Sequence, residues 1–176
     1  FTKLSERMPP DKLVALLNEI FSRFDALTEK HGLEKIKTIG DAYMVVGGLP
    51  VPRTDHAEAI ADMALDMQAE ITRFNIKGGY DCDIRIGINT GPVIAGVIGT
   101  KKFIYDLWGD TVNVASRMES HGIVGEIQVT AATYERLKYR YAFKPRGTIQ
   151  VKGKGDMEAF LLTGLKKPRS LFNWSA

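Results

Sequence analysis

Cysteine is nearly absent: Cys82 is the only one in 176 residues. That excludes a disulfide-stapled scaffold and a cysteine-built zinc knuckle, and it fits a reducing compartment. Histidine is scarce too. His31, His56 and His121 lack metal-ligand spacing and are expected to be solvated surface residues. No apolar run approaches the ~20 residues that a membrane-crossing helix needs. Charge of one sign is also missing, since 24 basic against 21 acidic residues leave only +3. That balance fits an anionic small ligand as readily as a nucleic acid. Neither a G-x-x-x-x-G-K-[ST] loop nor a G-x-S-x-G elbow occurs, which argues against a P-loop nucleotidase and an α/β-hydrolase. Aromatic residues do not interleave with basic ones on any strand, so no nucleic-acid partner is expected.

What is present is a globular composition, 44% hydrophobic and 26% charged, sufficient for a core. Leu13, Leu16, Leu17, Ile20, Phe21, Phe24 and Leu27 recur at helical intervals between Asp11 and His31, after Pro9-Pro10 and before Gly32. A second helix is expected over Thr54–Phe74, with Thr54 as N-cap and Ile60, Met63, Ala64, Met67 and Ile71 facing inward. Between them, Leu33–Gly47 reads as two short strands joined at Gly40-Asp41. Downstream, strands are expected at Asp83–Asn89, Val93–Ile98, Glu126–Val129, Thr148–Val151 and Glu158–Thr163. Helices are expected at Thr111–Ser120, with Val112, Ala115 and Met118 inward, and at Ala131–Leu137. The pattern of elements is that of a single α/β or α+β sheet with helices packed on it, in a single domain over 1–165 with a tail at 166–176. The first helix has no strand before it, although the alternation of elements calls for one.

Three segments carry candidate chemistry. Asp41 lies in the Gly40 turn, where spacing alone favours a plain hairpin turn over a projecting ligand. Tyr105-Asp106-Leu107-Trp108-Gly109-Asp110 reads as a loop or the rim of a pocket. Asn113 and Arg117, four apart, share a helix face that suits either an anionic, hydroxyl-bearing ligand or plain solvent. Gly153-Lys154-Gly155 is, by itself, a β-turn.

Taken in order, these segments resemble the class III nucleotidyl cyclase catalytic domain. The resemblance runs through Phe1-Thr2 and Glu34-Lys35-Ile36-Lys37-Thr38-Ile39-Gly40-Asp41-Ala42-Tyr43-Met44, then Arg85-Ile86-Gly87-Ile88-Asn89-Thr90-Gly91 and Ala95-Gly96-Val97-Ile98-Gly99. It continues through Tyr105–Gly109, Thr111–Ser120 and Val151-Lys152-Gly153-Lys154-Gly155. Such a resemblance implies an α+β fold, an antiparallel-rich sheet flanked by helices with a ferredoxin-like core, and a head-to-tail homodimer with its active sites at the subunit interface. It also implies ATP as substrate, two Mg²⁺ or Mn²⁺ ions per site, and an upstream regulatory or membrane module attached to a cytoplasmic catalytic domain.

Carried over position by position, Asp41 matches the second metal aspartate, Asn113 the ribose-orienting asparagine and Arg117 the arginine that stabilises the α-phosphate. Lys152 matches the lysine on the terminal phosphates, with Lys154 a weaker candidate, while Leu107, Val112, Phe1 and Thr2 fall among the nucleotide-contacting positions. The family's first metal aspartate lies shortly before the position that Phe1 matches, so it and its strand are expected upstream. The purine would be read by Lys37, which only donates, and ionised Asp106, which only accepts. Adenine offers an N1 acceptor and an N6 donor; guanine offers the reverse. Two mismatches at about 1–3 kcal/mol each amount to about 30- to 10⁴-fold discrimination. The resemblance therefore implies an adenylate cyclase. The alternatives are a guanylate cyclase, an inactive cyclase-homology domain that regulates or dimerises, and a sensor that binds ATP without cyclising it.

Overall fold

Pro10 opens the first helix where a missing N–H costs nothing, and α1 runs over Pro10–Lys30. Gly32, at φ 61°, takes the left-handed turn that ends it. Leu16, Ile20, Phe24 and Thr28 form its buried stripe. Leu13, Leu17, Phe21 and Leu27 flank that stripe half-buried. The stripe packs on Met63, Met67, Ile71 and Phe74 of α2, His56–Gly78. A computed structural model describes residues 8–99 and 104–167 of the chain. None of the helices described is long and apolar enough to cross a membrane.

The remaining elements, in chain order, are β1 (Glu34–Ile39) and β2 (Ala42–Val46) before α2, then β3 (Ile86–Ile88), β4 (Ile94–Ile98) and β5 (Ile104–Trp108). They are followed by α3 (Asp110–Ser120), β6 (Ile127–Thr130), α4 (Ala131–Leu137), β7 (Tyr141–Val151) and β8 (Gly155–Leu165). Among the described residues the strands form a four-stranded sheet, β3-β6-β8-β7, and two separate hairpins, β1-β2 and β4-β5. Every pairing is antiparallel except β3 with β6. The α+β class is as expected, but the single sheet resolves into these three.

The core lies between α2 and the four-stranded sheet. Ala57, Ala61 and Ala64 let the helix approach Ile88, Ile127, Val129 and Leu162. Tyr141 is fully buried, and its hydroxyl donates to Asp62 Oδ1 at 2.7 Å. On the far side Val114 and Met118 of α3 pack with Ile149, Val151 and Ala159. Close contact of α3 with β3 depends on Gly87. A Cβ there would stand 2.1 Å from the Glu119 nitrogen and 2.6 Å from the Ala115 carbonyl oxygen.

Several expectations need correction. The segment read as a loop or rim contains all of β5 but its first residue, and β5 pairs with β4 from Ile98↔Ile104 to Ile94↔Trp108. β3 is shorter than Asp83–Asn89, because only Ile86–Ile88 finds partners on β6. β7 and β8 are longer than expected. β7 is an edge strand, so Pro145 forfeits no ladder bond on its open side, and a register shift between Pro145 and Gly147 absorbs the irregularity. Thr54 is not the cap of α2. Asp55 holds that position without a capping bond, its carboxylate being taken by Arg53 at 2.7 and 2.8 Å. On α3, Val114 and Met118 are buried, whereas Val112 and Ala115 are only half-buried.

Gly87→Ala is expected to force α3 away from β3, because the clashing atoms are backbone and cannot rotate aside. Overpacking of this kind costs about 1–3 kcal/mol or more, so thermal unfolding of the variant should shift down by at least ~2 °C.

Candidate active site

The β1-β2 hairpin is built to present its turn. Gly40 has φ 60° and Asp41 does not have positive φ, the pattern of a type II′ turn with glycine first. Asp41 is exposed and its carboxylate has no hydrogen-bond partner among the described residues. Behind the turn, Tyr43 fixes the hairpin to α1. Its ring lies 5.7 Å from both Phe21 and Phe24, and its hydroxyl donates to Asp25 Oδ1 at 2.7 Å. Lys35 reaches the same carboxylate at 2.7 Å. Burial is the main cause that pushes the Tyr43 hydroxyl well above its usual range, so it stays a neutral donor.

The two hairpins meet through side chains. Lys37 on β1 forms an ion pair with Asp106 Oδ2 on β5, and the other oxygen, Oδ1, accepts the Leu107 N–H at 2.8 Å. The Lys37 ammonium first, then that N–H, hold the Asp106 carboxyl below the usual carboxylate range. Strand alternation turns Leu107 the other way, where it is buried. Two sequence candidates far apart in the chain are thus brought into direct contact.

On α3, Asn113 and Arg117 are exposed one turn apart, and neither side chain has a hydrogen-bond partner among the described residues. Val112 is half-buried beside them. The β7-β8 turn presents Lys152, which is exposed, while Lys154 pairs with Asp110 Oδ2 at 2.7 Å. That pair escapes sequence reasoning, because nothing local links a turn lysine to a helix-opening aspartate far upstream. Phe1 and Thr2 lie outside the described residues.

Among the described residues no cluster of three or more His, Cys, Asp or Glu could hold a metal ion. Asp41 alone is still a fitting donor for Mg²⁺ or Mn²⁺. A hard octahedral ion of this kind is often held by one or two carboxylates together with substrate phosphates.

The adenylate and guanylate cyclase catalytic domain pattern matches residues 1–164. The chain is similar to an adenylate cyclase of Mycobacterium tuberculosis, 51% identical over 166 residues, covering 94% of this chain and 38% of that protein. It is also similar to the membrane guanylyl cyclase of Dictyostelium discoideum, at 45% identity over 95% of this chain and 11% of that protein. Among solved structures, the guanylate cyclase domain of RhGC from Catenaria anguillulae, in complex with GTP, aligns with a TM-score of 0.89 at 40% identity. That alignment covers 94% of this chain and 91% of the RhGC domain.

The Lys37–Asp106 pair has a signature in acid. A carboxyl depressed in the folded state contributes stability above its unfolded pKa, ~3.9, and loses it as pH falls through the lower folded value. The urea midpoint of the wild type should therefore exceed that of Asp106→Asn by a constant amount between pH 5 and pH 8, roughly the plateau set by that pKa. The difference should shrink below about pH 4; a gap that persisted unchanged there would assign it to something other than the ion pair.

Proposed function

The chain belongs to the adenylate and guanylate cyclase catalytic domain family, and we propose that it is the catalytic domain of an adenylate cyclase, converting ATP to 3′,5′-cyclic AMP and pyrophosphate. The observation that carries the choice of base is the contact between Lys37 and Asp106. A donor-only ammonium and an acceptor-only carboxylate side by side complement N1 and N6 of adenine and oppose N1–H and O6 of guanine. Guanylyl cyclases stand nearly as close in sequence as adenylate cyclases, so this pair, and not overall similarity, favours ATP.

In the proposed reaction the ribose 3′-oxygen bonds to the α-phosphorus, the bond from that phosphorus to the β-bridging oxygen breaks, and the hydroxyl proton leaves with solvent or pyrophosphate. Asn113 holds the ribose so that the hydroxyl lies in line, and Arg117 matches the charge that grows on the α-phosphate. Lys152, exposed at its turn, holds the terminal phosphates. When bound, Mg²⁺ or Mn²⁺ supplies activation of the hydroxyl and neutralisation of the leaving group, with Asp41 as ligand. In a head-to-tail homodimer one protomer contributes Asp41 while its partner contributes the base-reading, ribose and phosphate groups. Because the chain spans only 38% of the mycobacterial relative, a regulatory or membrane module in the full-length protein is part of the same proposal.

Two expected outcomes test this reading. Dimers carrying the upstream aspartate should release cyclic AMP and pyrophosphate in equal amounts, whereas ADP as product would end the cyclase assignment. Asp41→Ala and Arg117→Ala chains should each be inactive alone. Mixed, they should recover activity, because one of the two interfacial sites in a mixed dimer is intact. Silence of mixed dimers that are shown to form would contradict a shared site.

A further inference from the structure

The segment Arg85–Pro92 supplies no group to the chemistry proposed above, yet every second residue of it touches α3. Arg85 donates to Glu119 Oε1 from Nε at 3.0 Å and from Nη2 at 2.9 Å. Gly87 lies directly against the backbone of Ala115 and Glu119. Asn89 Nδ2 donates to the Thr111 carbonyl at 3.1 Å. At Gly91 a Cβ would come within 2.6 Å of Thr111 Oγ1, which itself donates to the Pro92 carbonyl at 2.6 Å. Residues 85, 87, 89 and 91 therefore all meet α3, Gly87 from within β3 and the other three from the chain that flanks it. The motif is a rail on which α3 lies, running from the end of the helix back to its start.

Asn89 is the polar member of the rail beneath the first turn. Its amide has one orientation, because the buried Thr130 hydroxyl donates to Asn89 Oδ1 at 2.8 Å and leaves Nδ2 to face Thr111. Thr130 is itself held by its place at the start of α4, where its oxygen receives the Thr133 N–H at 3.4 Å. The order of contact is therefore α4, Thr130, Asn89, Thr111, and then Asn113 and Arg117 further along α3.

We infer that Asn89 is a positioning residue: held by Thr130, it fixes the first turn of α3 and so sets where Asn113 and Arg117 meet the ribose and the α-phosphate. The inference rests on the roles proposed for those two residues. Two hydrogen bonds tie this rail to the first turn of α3, from Asn89 to the Thr111 carbonyl and from the Thr111 hydroxyl to the Pro92 carbonyl. Of these only the Asn89 amide is itself held from behind, by Thr130, while the exposed Arg85–Glu119 ion pair contributes little and the glycines only leave room.

The test uses the dimeric protein and the steady-state kinetics of Asn89→Asp, Thr130→Val and Thr130→Ser. Asn89→Asp keeps the shape but turns a carboxylate oxygen toward the Thr111 carbonyl. The expected result is a kcat about 10- to 100-fold lower, as sub-ångström misplacement produces, with KM for ATP moving less than about 3-fold. The ATP-over-GTP ratio should stay unchanged, because Lys37 and Asp106 sit on other strands. Thr130→Val should fall in the same direction, Thr130→Ser should retain activity, and the Asn89→Asp/Thr130→Val double variant should be no worse than the poorer single one. Should Asn89→Asp not fold, the Thr130 pair decides alone. Lowered melting temperatures with unchanged kcat per folded protein would overturn the inference, as would a loss expressed in KM or in base preference. An inactive Arg117→Ala beside a fully active Asn89→Asp would remove the role of Asn89 only. A fully active Arg117→Ala would remove the reading of α3 itself, and the inference with it.

Discussion

Two hairpins that share no backbone hydrogen bonds among the described residues are tied together by a lysine on one and an aspartate on the other. Asp106 is mostly shielded, at 15% side-chain exposure, so the attraction is screened less than at an open surface. Neither partner is used up by the other. An ammonium has three donors and a carboxylate about four acceptor sites, so each can hold its mate and still face a ligand. The same pair that joins β1 to β5 thereby offers a fixed donor next to a fixed acceptor, which is what reading one edge of a purine requires.

The other candidate groups depend on equally specific supports. Asp41 can be exposed because the hairpin behind it is anchored to α1 through the Phe21–Phe24–Tyr43 cluster and the Tyr43–Asp25 hydrogen bond. Asn113 and Arg117 can be free of partners among the described residues because the opposite face of α3 is sunk on Gly87, Val151 and Ala159. Lys152 and Lys154 stand in one turn but in different states, Lys154 neutralised by Asp110 and Lys152 open to solvent. Exposed charge rests throughout on a buried apolar or backbone contact.

Periodicity made α1 and α2 legible, and Gly32 and Gly79 mark their ends as glycines at positive φ. The Gly40-Asp41 turn was legible for the same reason. β5 was hidden because Asp106 and Asp110 around Trp108 look like loop chemistry, although Tyr105, Leu107 and their neighbours alternate as a strand should. β7 was hidden by Pro145 and Gly147, which break a central strand but not an edge. On the inward face of α3 Met118 was legible, but Val114 is buried where Val112 and Ala115 were expected, and Ala115 instead faces Gly87 of β3 with its backbone. Which residues are candidates for the chemistry came from ordered motifs; that Lys37 touches Asp106, or Lys154 Asp110, came only from tertiary structure. Pairings across long stretches of chain leave no mark on either residue's local sequence.

The claim that Lys37 and Asp106 read the base is tested most directly by reversing both in one protein. For Lys37→Glu/Asp106→Cys, kcat/KM is measured with ATP and with GTP at saturating metal, so that metal affinity does not masquerade as base choice. Glutamate would then face the acceptor N1 of adenine and receive the N1–H of guanine, and the repulsion between Asp106 and O6 would be gone. The account predicts a strong fall with ATP and the appearance or rise of GTP turnover. A double variant that kept the wild-type preference would contradict it.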